Sequence, residues 1–209
     1  MKLYTYPPAP NPMRLAIFMA EKGVDIETEV IDLMSGEQRS DSFRAVNHWG
    51  TVPSLVLDDG TVLTEVVGMY SYLEEIYPQK PLLGSDPLSR ALILSWDHRC
   101  FTDGFQAVAE ALRNSVPAFA GRALPGPVSY EQIPALADRG KERIQAFYGV
   151  LDKHLEGRDF MVGDDFTVAD ITAYVFVVFS GWVKAAIPDE CVHLSAWHQQ
   201  ISTRVSVQS

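Results

Sequence analysis

Two short stretches of this 209-residue sequence put side chains capable of chemistry at the starts of helices. The first is Pro8-Ala9-Pro10-Asn11-Pro12, which follows a short strand ending at Tyr6. An amide at the positive end of a helix dipole adds a side-chain donor to a favourable field, and together these can stabilise an anion. The second is Thr64-Glu65-Val66, where a carboxylate opens another helix. Between them, Thr51-Val52-Pro53-Ser54-Leu55 sets a proline at the mouth of a strand. Proline cannot donate to a sheet ladder, so at a strand's first residue it shapes the loop before it. Each of these residues also has a plainer role: Asn11 as the N-cap of its own helix, Tyr6 as a core aromatic, Glu65 as an acid favourable to the dipole. His48, His154, His193 and His198 have no metal spacing, and Cys100 and Cys191 have neither metal nor redox spacing, so no metal is expected.

Composition narrows the partners. A formal net charge of −10 argues against nucleic acid and anionic membrane surfaces, both of which need clustered Lys and Arg. An anionic ligand must then be drawn by a local positive site. With 47% hydrophobic and 21% charged residues, the chain has an ordinary core and room for one large or two small domains. MKLYTY lacks a basic n-region and an apolar h-region, so no secretory signal is expected, and two separated cysteines fit a reducing, cytoplasmic setting. The most apolar window, 168–183, carries Asp170 and falls short of the ~20 residues of a bilayer span. It reads as a buried helix.

The elements that must position these residues can be traced along the chain. Residues 2–6 read as a strand, Asn11-Pro12 as cap and first residue of a helix stopping at Gly23, and 29–33 as a second strand. Residues 35–44 are polar and partly helical. Strands at 54–57 and 62–64 flank Asp58-Asp59-Gly60, a hairpin signal, and a helix runs from about 65 to 77. The order is β-α-β-α-β-β-α. Proline and glycine then break the pattern, placing a domain at 1–80, a linker at 81–87 and a second domain at 88–209. No strand signal survives beyond it. Helices are expected at 88–116 and 135–156, with a loop at 117–134 between them. Thr167 caps a further helix with Asp170 at N3, and its apolar character nearly all round marks it as central to a bundle. A last helix covers 194–205 and buries Trp197 within the helical part.

Asn11-Pro12-Met13-Arg14, then G-x-V-P-x-L at 50–55, L-T-E at 63–65 and F-T-V-A-D at 166–170, taken in order, resemble the cytosolic glutathione transferases along essentially the whole chain. The resemblance implies an α/β thioredoxin-like N-terminal domain that binds glutathione as co-substrate. It further implies an all-α helical-bundle C-terminal domain supplying most of the second-substrate pocket, and a dimer of identical or different subunits. It also implies a cis Val52–Pro53 bond, with the N–H and C=O of Val52 pairing with the cysteinyl backbone of glutathione; an ordinary trans proline starting an edge strand is the alternative.

Glutathione reacts as its thiolate. Lowering a thiol pKa of about 8.5 by ~2 units requires roughly 2.7 kcal/mol of preferential stabilisation. A helix N-terminus (about 0.3–2 kcal/mol) and one hydrogen bond to a charged group (about 1.5–3 kcal/mol) suffice together. The start of the first helix offers Asn11 and the backbone N–H of Met13. Where family members place Ser, Cys or Tyr, this sequence has Asn11, which can donate to a thiolate but cannot take its proton, as in bacterial subgroups where an asparagine orients the sulfur. Tyr6 is the alternative donor. No cysteine precedes Cys100, which weighs against mixed-disulfide chemistry.

At the γ-glutamyl end, Glu65 is expected to pair with the ammonium. Val66 replaces the family's usual serine, leaving its backbone N–H for the carboxylate. Thr51 stands where a lysine often meets the glycyl carboxylate, with Gln38 and Arg39 the nearest polar replacements or else part of a solvated loop. Met13, His98, Phe101 and Phe105 are candidate liners of the second-substrate pocket, the last three with simple core roles as alternatives.

The implied activity is that of a glutathione S-transferase, with the thiolate attacking a hydrophobic electrophilic, aromatic or halogenated small molecule in a cytoplasmic detoxification role. A glutathione-dependent lyase or β-etherase uses the same thiolate to displace a leaving group. A non-catalytic binding subunit on the same fold is favoured by Val66 and Thr51 and opposed by Asn11, Val52-Pro53 and Glu65.

Overall fold

The computed structural model describes residues 1–208, which fall into two compact units, Met1–Lys80 with Leu124–Ser129, and Pro81–Ala123 with the chain from Tyr130 onward. In the first, β1 (Lys2–Thr5), α1 (Pro10–Lys22) and β2 (Glu27–Val30) form a β-α-β unit with parallel strands. After α2 (Asp41–Val46) come β3 (Ser54–Val56), β4 (Val62–Leu63) and α3 (Val66–Ile76). The sheet order is β2-β1-β3-β4, with β3 antiparallel to both neighbours. The element order is the expected β-α-β-α-β-β-α, and the sheet is mixed. Leu3 and Leu55, opposite one another across β1 and β3, are both buried. α1 meets α3 where Phe18 stacks on Tyr70 at 4.6 Å, and Phe43 of α2 sets its edge to Tyr4 at 5.9 Å.

β2 begins two residues before the expected 29 and ends at Val30. All four of its residues are exposed, so no burial pattern marks it; Lys2 of β1 reaches Glu29 at 2.7 Å and Glu27 at 3.6 Å across the pair. A cation between two acids on an outer strand suits an edge.

The second unit holds α4 (Pro87–Arg99), a π-helical turn at Cys100–Phe105, α5 (Gln106–Arg113), α6 (Pro134–Leu155), α7 (Val168–Ser180), α8 (Val192–Ser202) and α9 (Val205–Gln208). The single helix expected over 88–116 is thus interrupted and ends at Arg113. Gly104 explains the interruption: a Cβ there would lie 2.9 Å from the rings of Phe147 and Phe176, so the turn packs closer than any other residue allows. Arg143 Nη2 donates to the Thr102 carbonyl at 2.6 Å, supplying a side-chain partner within the wider turn. α7 is buried nearly all round, as expected of a central helix, and carries the capping box of Thr167 and Asp170. α8 starts at Val192 rather than 194 because its donors are capped from a distance: Asp152 Oδ1 accepts the N–H groups of His193 (2.8 Å) and Leu194 (2.9 Å). A cap supplied by another helix leaves no local signal. The 117–134 segment includes one β-bridge, between Arg122 and Tyr130. No helix among the described residues is long and apolar enough to cross a membrane.

Candidate functional site

Strand register gathers the candidate residues of the first unit at one end of its sheet. Thr5 pairs with Val30 at the end of both parallel strands, and Tyr4 pairs with Ser54 at the start of β3. Leu55 pairs with Leu63, which brings the end of β4 beside the start of β3. The segments leaving β1 toward Asn11, leaving β2 toward Gln38, entering β3 through Val52 and leaving β4 toward Glu65 therefore share one edge. Ligands of open α/β sheets bind at the carboxyl ends of parallel strands, where connecting loops diverge.

At the first of these loops the N-cap of α1 is Ala9, with no side-chain cap; Asn11 lies inside the first turn and is not the N-cap the sequence suggested. The N–H of Met13, expected as an anion donor, is already engaged, donating to the Ala9 carbonyl at 3.0 Å. Pro10 and Pro12 have no N–H to offer. The donors left in this turn are those of Asn11, its backbone N–H and its Nδ2, and neither has a partner among the described residues. The Asn11 Oδ1 accepts from Arg14 Nη1 at 3.2 Å. Arg14 is 2% exposed, with its guanidinium 5.7 Å from the Tyr70 ring centroid. Tyr6 is half-buried just beyond β1, and its carbonyl accepts from the Ala9 N–H at 2.9 Å.

The loop before β3 is organised by a residue the sequence did not single out. Asn47 is 1% exposed, and its Nδ2 donates to the Thr51 carbonyl (2.9 Å), the Thr51 hydroxyl (3.2 Å) and Ser54 Oγ (3.0 Å). Its Oδ1 accepts from the Trp49 N–H at 3.1 Å. One buried amide thus serves both sides of the turn, and Thr51 is tied into that network. The signal available in sequence was the turn-forming Asn-His-Trp-Gly itself. Gly50 has φ +61, and a Cβ there would sit 2.8 Å from the Gln38 carbonyl, so the two loops touch backbone to side-chain position. The Val52–Pro53 bond is cis, as the resemblance implied. Neither the N–H nor the C=O of Val52 has a partner among the described residues. Gln38 Oε1 is buried without a hydrogen-bond partner, whereas the exposed Arg39 folds over Gly36.

At the far loop, Glu65 is the exposed N-cap residue of α3, and its side chain caps nothing. The first backbone N–H bonded back across that helix start is Met69's, to Glu65 O at 3.0 Å, which leaves the N–H groups of Val66, Val67 and Gly68 open. This edge therefore offers an amide donor, a free peptide unit, an acid and an open helix start. That set matches a zwitterionic, peptide-like ligand with an anionic centre.

Two family models match the chain. "Glutathione S-transferase, N-terminal domain" matches residues 9–76, and "Glutathione S-transferase, C-terminal domain" matches 116–204. The chain belongs to the glutathione S-transferase family. It is similar to glutathione S-transferase 2 of Saccharomyces cerevisiae, 31% identical over 213 residues, covering 100% of this chain and 88% of the relative. A maleylacetoacetate isomerase of Pseudomonas aeruginosa is 43% identical over 93 residues, 44% of each chain. Among solved structures, a glutathione S-transferase domain-containing protein of Marinobacter aquaeolei superposes with a TM-score of 0.90 at 35% identity, covering 99% of this chain and 100% of that one.

In the second unit of this glutathione S-transferase family member, His98 is exposed on α4. Phe101 is half-buried and stacks on Phe105 at 5.4 Å; Phe105 meets Phe179 at 5.2 Å, and Phe179 meets Trp182 at 5.4 Å. Phe105 is buried, the middle of an aromatic row whose outer end, Trp182, is half exposed.

Proposed function

We propose that this chain is a glutathione S-transferase that binds glutathione along the loop edge of the first unit's sheet. Asn11 Nδ2 donates to the glutathione sulfur and favours its thiolate, the thiol proton leaving to solvent because an amide cannot accept it. The N–H and C=O of Val52 pair with the cysteinyl backbone in the manner of an added strand. Glu65 meets the ammonium, and the open N–H of Val66 receives the γ-glutamyl carboxylate at the helix start. Gln38, with Thr51 and Arg39 beside it, faces the glycyl end; an orphan buried acceptor such as its Oε1 calls for a donor from the ligand or from water.

The thiolate then attacks the electrophilic carbon of a hydrophobic aromatic substrate, a carbon–sulfur bond forms, and the leaving group departs with its electron pair. Met13, two residues after Asn11 on α1, is proposed to touch that substrate. Tyr6 is the alternative sulfur donor. Exposed Leu88 and Leu92, four residues apart on α4, supply an apolar face that supports assembly as a dimer.

The observation that carries this reading is the Asn11 amide, whose nitrogen is open in a helix turn that prolines have stripped of other donors. Titration calorimetry with glutathione, followed by conjugation to an activated aryl halide, tests it. Binding and conjugation are expected in the wild type, with conjugation at neutral pH reduced about tenfold or more in Asn11→Ala. Binding without conjugation would leave a lyase or a binding subunit; loss of both would refute glutathione chemistry here.

A further inference from the structure

We infer that Arg14 is a positioning residue for the sulfur donor, acting by fixing which face of the Asn11 amide meets the thiolate. This rests on the reading of Asn11 as that donor. Arg14 follows Asn11 by three residues, which puts both on one face of α1. Its Nη1 is 3.2 Å from Asn11 Oδ1. A guanidinium has donors only, so the amide must present its oxygen to Arg14, and Nδ2 must then point the other way.

That choice matters because the terminal torsion of asparagine is broad and roughly two-fold, with the flipped amide close in energy unless a partner discriminates. In the flipped state Oδ1 would face the sulfur and repel a thiolate. Arg14 removes that state. It is itself held, being 2% exposed and lying over the Tyr70 ring at 5.7 Å. A charge-assisted bond to Oδ1 also polarises the amide and makes Nδ2 a better donor. The N-P-x-R segment thus carries two linked functions, one residue touching the sulfur and one orienting it.

The test is the pH profile of kcat/KM with glutathione and an activated aryl halide in wild type, Arg14→Lys, Asn11→Ala and the double variant. Lysine keeps the charge and loses the planar fork. Arg14→Lys is expected to raise the kinetic pKa of the thiol by about one unit, lowering kcat/KM at pH 7 about threefold to tenfold. KM for glutathione should change less than kcat, since Val52 and Glu65 are untouched. In the Asn11→Ala background the same substitution should shift the pKa no further. An unchanged pKa in Arg14→Lys, or an equal shift in both backgrounds, overturns the inference.

An unchanged pKa in Asn11→Ala, or no conjugation in the wild type, fails the underlying reading of Asn11 instead. The unmodified chain gives a second test that needs no folded variant. The residual dipolar couplings of its Asn11 side-chain NH2 group should fit a single amide orientation, with Oδ1 toward Arg14, and one of the two NH2 resonances should move on adding glutathione. Averaged couplings or an unresponsive pair refute a locked amide.

Discussion

The indole Nε1 of Trp197 on α8 donates to Asp170 Oδ1 at 3.3 Å, tying the last long helix to the first turn of α7. The same carboxylate accepts from the Met161 N–H (2.8 Å), the Thr167 N–H (3.0 Å) and the Thr167 hydroxyl (3.1 Å). Four donors converge on a side chain with 0% exposure. Asp170→Ala removes their common acceptor and leaves buried N–H groups unpaired. We expect a loss of at least about 3 kcal/mol in urea unfolding, accompanied by a change in Trp197 fluorescence.

The half-buried His198 and the buried Asp170 give stability opposite dependences on pH. Burial holds His198 below its ordinary 6.5, with Nε2 unpartnered and the ring stacked on Tyr174 at 5.2 Å. The unfolded chain then binds more protons below that value, so this contribution is complete above pH 6.5 and is lost as pH falls. His198→Phe, which keeps the stack, should flatten that part of the urea-midpoint profile. Burial pushes Asp170 from 3.8 up to about 6, against the pull of its hydrogen bonds. Its contribution is therefore complete below about pH 3.8 and falls as pH rises to about 6, a slope that Asp170→Ala should abolish.

Two glycines of α6 should respond to alanine in opposite senses. At Gly140 a Cβ would lie 2.6 Å from the Ala107 carbonyl oxygen and 2.7 Å from the Ala111 nitrogen, backbone atoms of α5 that cannot swing aside. At Gly149 a Cβ meets nothing within 4 Å. Gly149→Ala should stabilise by about 0.5–1 kcal/mol through helix propensity, while Gly140→Ala should destabilise by about 2 kcal/mol or more. Thermal unfolding of the two variants decides the matter.

Glu65→Gln should raise KM for glutathione about tenfold with kcat nearly unchanged, the signature of an interaction made equally before and during reaction. Asn47→Ala should raise KM by a similar factor but also lower the melting temperature, because the buried amide holds both ends of the loop that carries Val52. Steady-state kinetics beside a melting curve separate the two effects.

Much of the fold was legible because local rules agreed with it. The Asp-Gly hairpin, the Thr167–Asp170 box and the all-round apolar α7 are signals contained within a few residues, and each element formed. The features that escaped depend on distant groups or on close packing. The start of α8 depends on Asp152, forty residues upstream by number, and the π-helical turn depends on the rings of Phe147 and Phe176 against Gly104. At the candidate site, Asn11, Val52 and Glu65 were visible as residue types at helix and strand starts. Asn47 and Arg14 were not assigned roles, since a buried polar side chain looks like any other until its partners are in place.

Because Ala9 rather than Asn11 is the N-cap of α1, and no side chain caps it, the helix start places no capping demand on position 11, whose side chain is tied instead to Arg14. A residue excused from capping can be exchanged for serine or cysteine without unmaking the helix start, at the cost of the acceptor that Arg14 uses. One codon could thereby convert amide donation into hydroxyl donation or thiol exchange, which makes this turn a natural point of divergence between reactions on a shared framework.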